Sequence, residues 1–151
     1  MPEKQVLQRS QRGKEEGKSP STQAGEFVRE EIHHIREGKH GARSTQQAIA
    51  IGLSKARRAG VQLAPPRKGS VSSKTRARAV RETRRAKSSS MRKPSRVRSR
   101  ATANALKREG HSAASRSSLS KHARASSRRR TAQSRRNAAR KAARTRRKSG
   151  R

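Results

Sequence analysis

The side chains best suited to chemistry in this chain are its histidines, and three of the five stand close together: His33, His34 and His40. Such a group raises a metal site first, because neutral imidazole ligates borderline divalent ions. Consecutive helical residues point about 100° apart, however, so His33 and His34 cannot both aim at one ion with good geometry. No Asp or Cys stands nearby, and the acids this reading brings in are Glu30 and Glu37. The histidines are therefore read as solvated or capping side chains, with no metal and no other cofactor expected. The absence of cysteine removes disulfides, thiolate zinc sites and cysteine nucleophiles. Serines are plentiful, but no scaffold is evident to hold one beside a base and an acid. No glycine-rich phosphate loop follows a strand, because no segment reads as a strand. The chain is not expected to be an enzyme.

The chemistry in real supply is neutralisation of phosphate. The 151 residues carry 43 Lys and Arg against nine acids, a formal net charge of +34. Residues 1–18 hold +2 of this, residues 19–64 hold +3, and residues 65–151 hold +29. The side chains expected to carry nucleic-acid binding are Arg84, Arg85, Arg128, Arg129, Arg130, Arg135, Arg136, Arg140, Lys141, Arg144, Arg146, Arg147 and Lys148. Arginine adds a planar, bidentate grip on phosphate that lysine lacks. If a third of the 31 basic residues after position 64 engaged phosphate, the salt-dependence slope would lie near about −9. Phe27 is the single aromatic residue, so there is no stacking platform for single strands. Contacts to the backbone of a duplex, with little reading of bases, follow from that composition.

The one stretch with mutually consistent helix signals is Ser44 to Leu63. Ser44 is a good N-cap, with Gln47 placed for a capping box. Ala48, Ile49, Gly52, Leu53 and Ala56 form an apolar stripe with Ile51 at its edge. Lys55, Arg57 and Arg58 suit the last turns, and Gly60 suits a left-handed stop. Upstream, Ser19-Pro20 reads as a cap and first helical residue, followed by Ala24, Phe27, Val28, Ile32 and Ile35 at helical intervals and a stop at Gly38. Helices are expected over roughly 22–37 and 45–59, with Ile49 and Leu53 facing Phe27, Val28 or Ile32.

The expected fold class is all-α: a small two-helix hairpin over residues 19–64, a flexible N-terminus over 1–18, and a long basic tail over 65–151. Pro65-Pro66 marks the boundary. After it come only six large apolar residues, Val71, Val80, Met91, Val97, Leu106 and Leu119, too few for a core. The tail is therefore expected to be largely disordered, or helical only on binding, since Arg136, Arg140 and Arg144 repel at four-residue spacing. Glu109-Gly110 and Met91-Arg92-Lys93-Pro94 punctuate it. A 46-residue hairpin is marginal alone, so a homodimer through its exposed stripe, or ordering on a partner, is the expected remedy. A helix-turn-helix reading, with Ser44–Ala59 as recognition helix, is set aside because the usual motif needs a third helix.

The string from Glu37 to Gly60, EGKHGARSTQQAIAIGLSKARRAG, resembles the motif of an uncharacterised family of small basic bacterial proteins, matched here by Ser44, Gln47, Ala48, Ile49, Ala50, Ile51, Leu53, Ser54, Ala56 and Arg57. The resemblance implies a bacterial origin and no particular activity. By composition alone, the tail is similar to those of linker-histone-like bacterial nucleoid proteins. The leading expectation is a nucleoid-associated, histone-like DNA-binding protein without sequence preference, in the bacterial cytoplasm. The alternatives are an RNA- or ribosome-associated basic protein, and a protein-interaction module with a localising tail. No run of 18 apolar residues and no apolar leader block occur, so no membrane span or secretory signal is expected.

Overall fold

In a computed structural model, the structure describes residues 2–87 and 95–149. The chain divides into two compact units, Met1–Ser115 and Arg116–Arg151. The first holds α1 (Lys4–Glu15), α2 (Pro20–Arg36), α3 (Thr45–Arg58), α4 (Ser73–Lys87), α5 (Arg96–Lys107) and a short 3-10 turn, Ser112–Ala114. The second holds α6 (Arg116–Arg128) and α7 (Ala132–Ser149). No strand occurs among the described residues.

The α2–α3 pair forms where the apolar spacing places it, and its caps are those of the sequence with one change. The Ser19 hydroxyl accepts from the Thr22 amide and Pro20 opens α2. The Ser44 hydroxyl accepts from the Gln47 amide at 3.2 Å. The Gln47 side chain reaches back one residue further than a capping box requires, accepting from the Arg43 amide at 2.9 Å. Gly60, at φ +91°, closes α3 by letting the Val61 amide reach the Ala56 carbonyl.

Packing between α2 and α3 runs along small residues. Ala48, Gly52 and Ala56 are all buried, at i, i+4 and i+8. A Cβ on Gly52 would stand 2.6 Å from the Val28 Cα and 3.0 Å from the Phe27 carbonyl oxygen. Because the obstacle is backbone, Gly52→Ala must push the helices apart. It should cost about 1–3 kcal/mol, as overpacking does, read as a fall in the thermal midpoint by circular dichroism. Leu53 packs, half-buried, on a core of Val6, Ala24, Phe27, Ala56, Val61 and Leu63, as its expected approach to Phe27 requires. Ile49 lies at the edge of the seam, half-buried.

The pair is not a free-standing hairpin, and this corrects the expected fold. The N-terminal segment expected to be flexible is α1, which packs on α2 and delivers Val6 to the core. Helix α4 packs on α3, and the 3-10 turn packs on both α2 and α3. The apolar faces that a dimer was expected to cover are met within the chain, by Val6 from α1, by Val61 and Leu63, and by Ala113 and Ala114.

Nor is the region after Pro66 a disordered tail, because four further helices form there. Two physical causes account for it. Small residues and backbone do the docking that large apolar residues were expected to do. Ala79, Ala113 and Ala114 are buried. Carbonyls of Leu106, Gly110, Ala113 and Ala114 accept from the Gly41 amide, the Ala42 amide, the Thr45 hydroxyl and the Arg36 guanidinium. Gly41 is required there, since a Cβ would collide with the Glu109 carbonyl. Local terms hold the rest. Arg, Lys and Ala are among the best helix formers, and the Ser72 and Thr131 hydroxyls cap α4 and α7 by accepting from the Thr75 and Ser134 amides. A cap contributes about 1 kcal/mol, whereas each like-charged i,i+4 pair costs only about 0.2–0.5 kcal/mol. The expected break at Met91-Arg92-Lys93-Pro94 lies outside the described residues.

Candidate nucleic-acid interface

Helix α4 is held to the core by one face and presents arginine on the other. Its inner face carries Ala79, which is buried, with Glu82, Thr83 and Ala86 half-buried beside it. Glu82 does the fastening. It accepts from the Ser54 hydroxyl at 2.7 Å, and its other oxygen lies 3.9 Å from the buried Arg57 guanidinium. Glu82→Ala would leave Arg57 buried without its carboxylate. The expected loss is about 1–3 kcal/mol, measured by chemical denaturation, and Glu82→Gln should recover the Ser54 part of it.

On the outer face, Lys74, Arg78, Arg81 and Arg85 recur at i, i+4, i+7 and i+11, and all four are exposed. At about 100° and 1.5 Å per residue, they fall within about 60° of arc and span about 16 Å of axis. Arg84 stands exposed beside this row. The sequence reading chose Arg84 and Arg85 but missed Lys74, Arg78 and Arg81, which the helical period would have shown.

The second unit repeats the pattern without any acid. Residues 116–151 carry 15 basic side chains and no Asp or Glu, so +15 of the total. In α7, Arg136, Arg140, Arg144 and Arg147 fall at i, i+4, i+8 and i+11, one row along the helix. Arg135 and Arg146 form a second row and Lys141 opens a third towards Lys148, whose side chain lies outside the described residues. In α6, Lys121, Arg124 and Arg128 share one face, and Arg129 and Arg130 follow in the exposed turn before α7. Every described member of these rows is exposed. Most of the basic residues expected from the sequence thus stand on helices of the two units rather than on a structureless chain, with Arg129 and Arg130 in the turn between α6 and α7.

Helix α3 is a poor reader of bases. Helices α1 and α4 supply the further helices whose absence set the helix-turn-helix reading aside, but α2, α4 and the 3-10 turn pack against α3. Only Gln46, Ala50 and Arg58 remain fully exposed along it.

Seven of the nine acids lie within residues 3–37, while Glu82 also stands 3.5 Å from Arg78 of the α4 row. Lys18 hydrogen-bonds Glu16 and holds its carboxyl below the ordinary range, as Lys39 does for Glu37; the Lys39 ammonium is pushed up in return. The His34 hydrogen bond lowers Glu3. For Glu16 and Glu37 the folded value lies below the unfolded one, so their contribution is present above about pH 4.5 and fades as pH falls through the lowered values. His33 stands apart from the other two histidines, exposed and 2.9 Å from the Glu37 carboxylate.

No family model, curated protein or solved structure matches the chain. No helix among the described residues is long and apolar enough to cross a membrane.

Proposed function

We propose that the chain binds double-stranded nucleic acid, DNA before RNA, by neutralising backbone phosphates with pre-formed rows of arginine, as a histone-like nucleoid protein does. The observation that carries this reading is the arrangement of basic side chains along exposed helix faces, four to a row in α4 and α7. A helix that already holds its guanidinium groups in line has less conformational freedom to lose when phosphates meet them. The acid-free second unit presents nothing to repel a polyanion. With no Phe, Tyr or Trp besides Phe27, and that one buried, the chain offers no such ring for bases to stack on.

The test is a set of equilibrium titrations of the full chain with duplex DNA, duplex RNA and single-stranded DNA at several salt concentrations. Replacing Arg128, Arg129, Arg130, Arg135, Arg136, Arg144, Arg146, Arg147 and Lys148 with Gln keeps helix propensity while removing the charge. If a third of these nine touch phosphate, the salt slope should flatten by about three. An unchanged slope would remove those nine side chains from the interface. Preference for duplex RNA over duplex DNA would favour the ribosome-associated alternative.

A further inference from the structure

In a chain with only nine acids, three of them converge with two histidines at one place in the first unit. Glu30, Glu31 and His34 lie on one face of α2, because residues three and four apart stack along a helix. His40 comes from the turn before α3, and Glu3 comes from the residue preceding α1. The donor atoms of Glu31, His34 and His40 lie within 4.8 Å of one another. Those of Glu3, Glu30 and His34 form a second set, equally close and sharing His34.

Two features mark this as more than a surface patch. First, the His40 Nδ1 lies 3.1 Å from the Gly41 carbonyl, which can only accept, so Nδ1 carries the proton. In neutral imidazole the Nε2 lone pair then faces the Glu31 Oε1 at 3.2 Å, one acceptor against another. Second, Glu30 and Glu31 are more than nine-tenths buried, and while the Glu31 Oε2 meets the Lys55 ammonium, the Glu30 Oε2 makes no hydrogen bond. Among the described residues the one ammonium paired with them is Lys55, whose Nζ stands 2.6 Å from Glu31 and 3.6 Å from Glu30. A single ammonium thus faces two buried carboxylates, with the imidazoles of His34 and His40 beside them.

We propose that Glu31, His34 and His40, with Glu3 and Glu30 beside them, bind a divalent transition-metal ion of the zinc type. Mixed imidazole and carboxylate donors suit that class. Ligand atoms about 2.0–2.2 Å from a tetrahedral ion stand about 3.3–3.6 Å from one another. The separations of 3.2 Å between Glu31 and His40, and 3.0 Å between Glu3 and His34, are already close to that. The Nδ1 bond to the Gly41 carbonyl is the kind of support that fixes a ligating imidazole with Nε2 free. Lys55 occupies part of the ion's place and swings out on its flexible stem when the ion enters. The ion would tie α1, α2 and the turn before α3 together, a structural role.

The experiment uses the full chain, stripped with chelator and titrated calorimetrically with ZnCl2. One ion per chain is expected. His34→Ala and His40→Ala should each weaken binding at least about tenfold. The combined His33→Ala, His111→Ala and His122→Ala variant should bind as the parent does, and Lys55→Met should bind more tightly. In the unsubstituted protein, which needs no variant to fold, Zn2+ should shift the ring nitrogens of His34 and His40 in long-range 1H–15N spectra and leave the other three histidines in place. No heat in excess Zn2+, binding that survives loss of His34 and His40, weaker binding by Lys55→Met, or shifts at the other histidines would each overturn the site and leave a protonated histidine–carboxylate network.

Discussion

Raising salt from about 50 to 200 mM should lower the affinity of the full chain for duplex DNA by about three to five decades, the fall that attends six to ten phosphate contacts. The rows in α4 and α7 alone supply eight basic side chains, four in each unit. Each that displaces a condensed counterion adds about 0.9 to the slope of log affinity against log salt. The effect is so large because it acts through every contact at once, whereas a base-reading contact would be lost one position at a time. For the same reason duplexes of scrambled sequence should bind within a few-fold of one another, since phosphate contacts set position and carry no sequence information. A loss below tenfold across that salt range would contradict the phosphate mechanism. So would one duplex preferred by orders of magnitude.

The helical pair was legible because its signals are local and redundant: caps at Ser19 and Ser44, stops at Gly38 and Gly60, and an apolar period between them. What packs around the pair was not, and the reason lies in which residues do it. Counting large apolar side chains after Pro66 finds few, yet the docking there uses Ala79, Ala113 and Ala114 and four backbone carbonyls, which no hydropathy pattern marks. The first helix was missed because Val6 is its single buried apolar side chain, beside Ser10 and Gly13. The basic rows were half legible. Arg-rich composition pointed to phosphate as the partner chemistry, but weighing clusters such as Arg128–Arg130 by sequence adjacency hid the Lys74–Arg78–Arg81–Arg85 row. The histidine group was read through His33 and His34, which do diverge; the fold instead brings His34 beside Glu31 and Glu30, at i−3 and i−4 on its own helix. His40, Glu3 and Lys55 arrive only through the fold.

Phe27→Ala should be the most damaging single substitution in the first unit, at about 3–5 kcal/mol. Phe27 is wholly buried and is the largest such side chain among the described residues. Its cluster draws one member from α1 (Val6), one from its own helix (Ala24), one from α3 (Ala56) and two from the segment after α3 (Val61 and Leu63). Those partners are aliphatic side chains no larger than leucine, so filling the void would need helices to move. The α3 backbone at Gly52 already lies against the Phe27 carbonyl and the Val28 backbone, so α3 cannot close further on α2 to fill it. Domains of this size have only about 5–15 kcal/mol of total stability, so the loss is a large share of the whole. It should appear as a fall in Tm of roughly 10–30 °C by far-UV circular dichroism. Phe27→Leu keeps most of the volume and should cost under about 1.5 kcal/mol. The pair of variants separates cavity formation from any loss specific to the ring. If both melt with the parent, Phe27 is not the centre of the core and the packing of α1 through α3 described above is wrong.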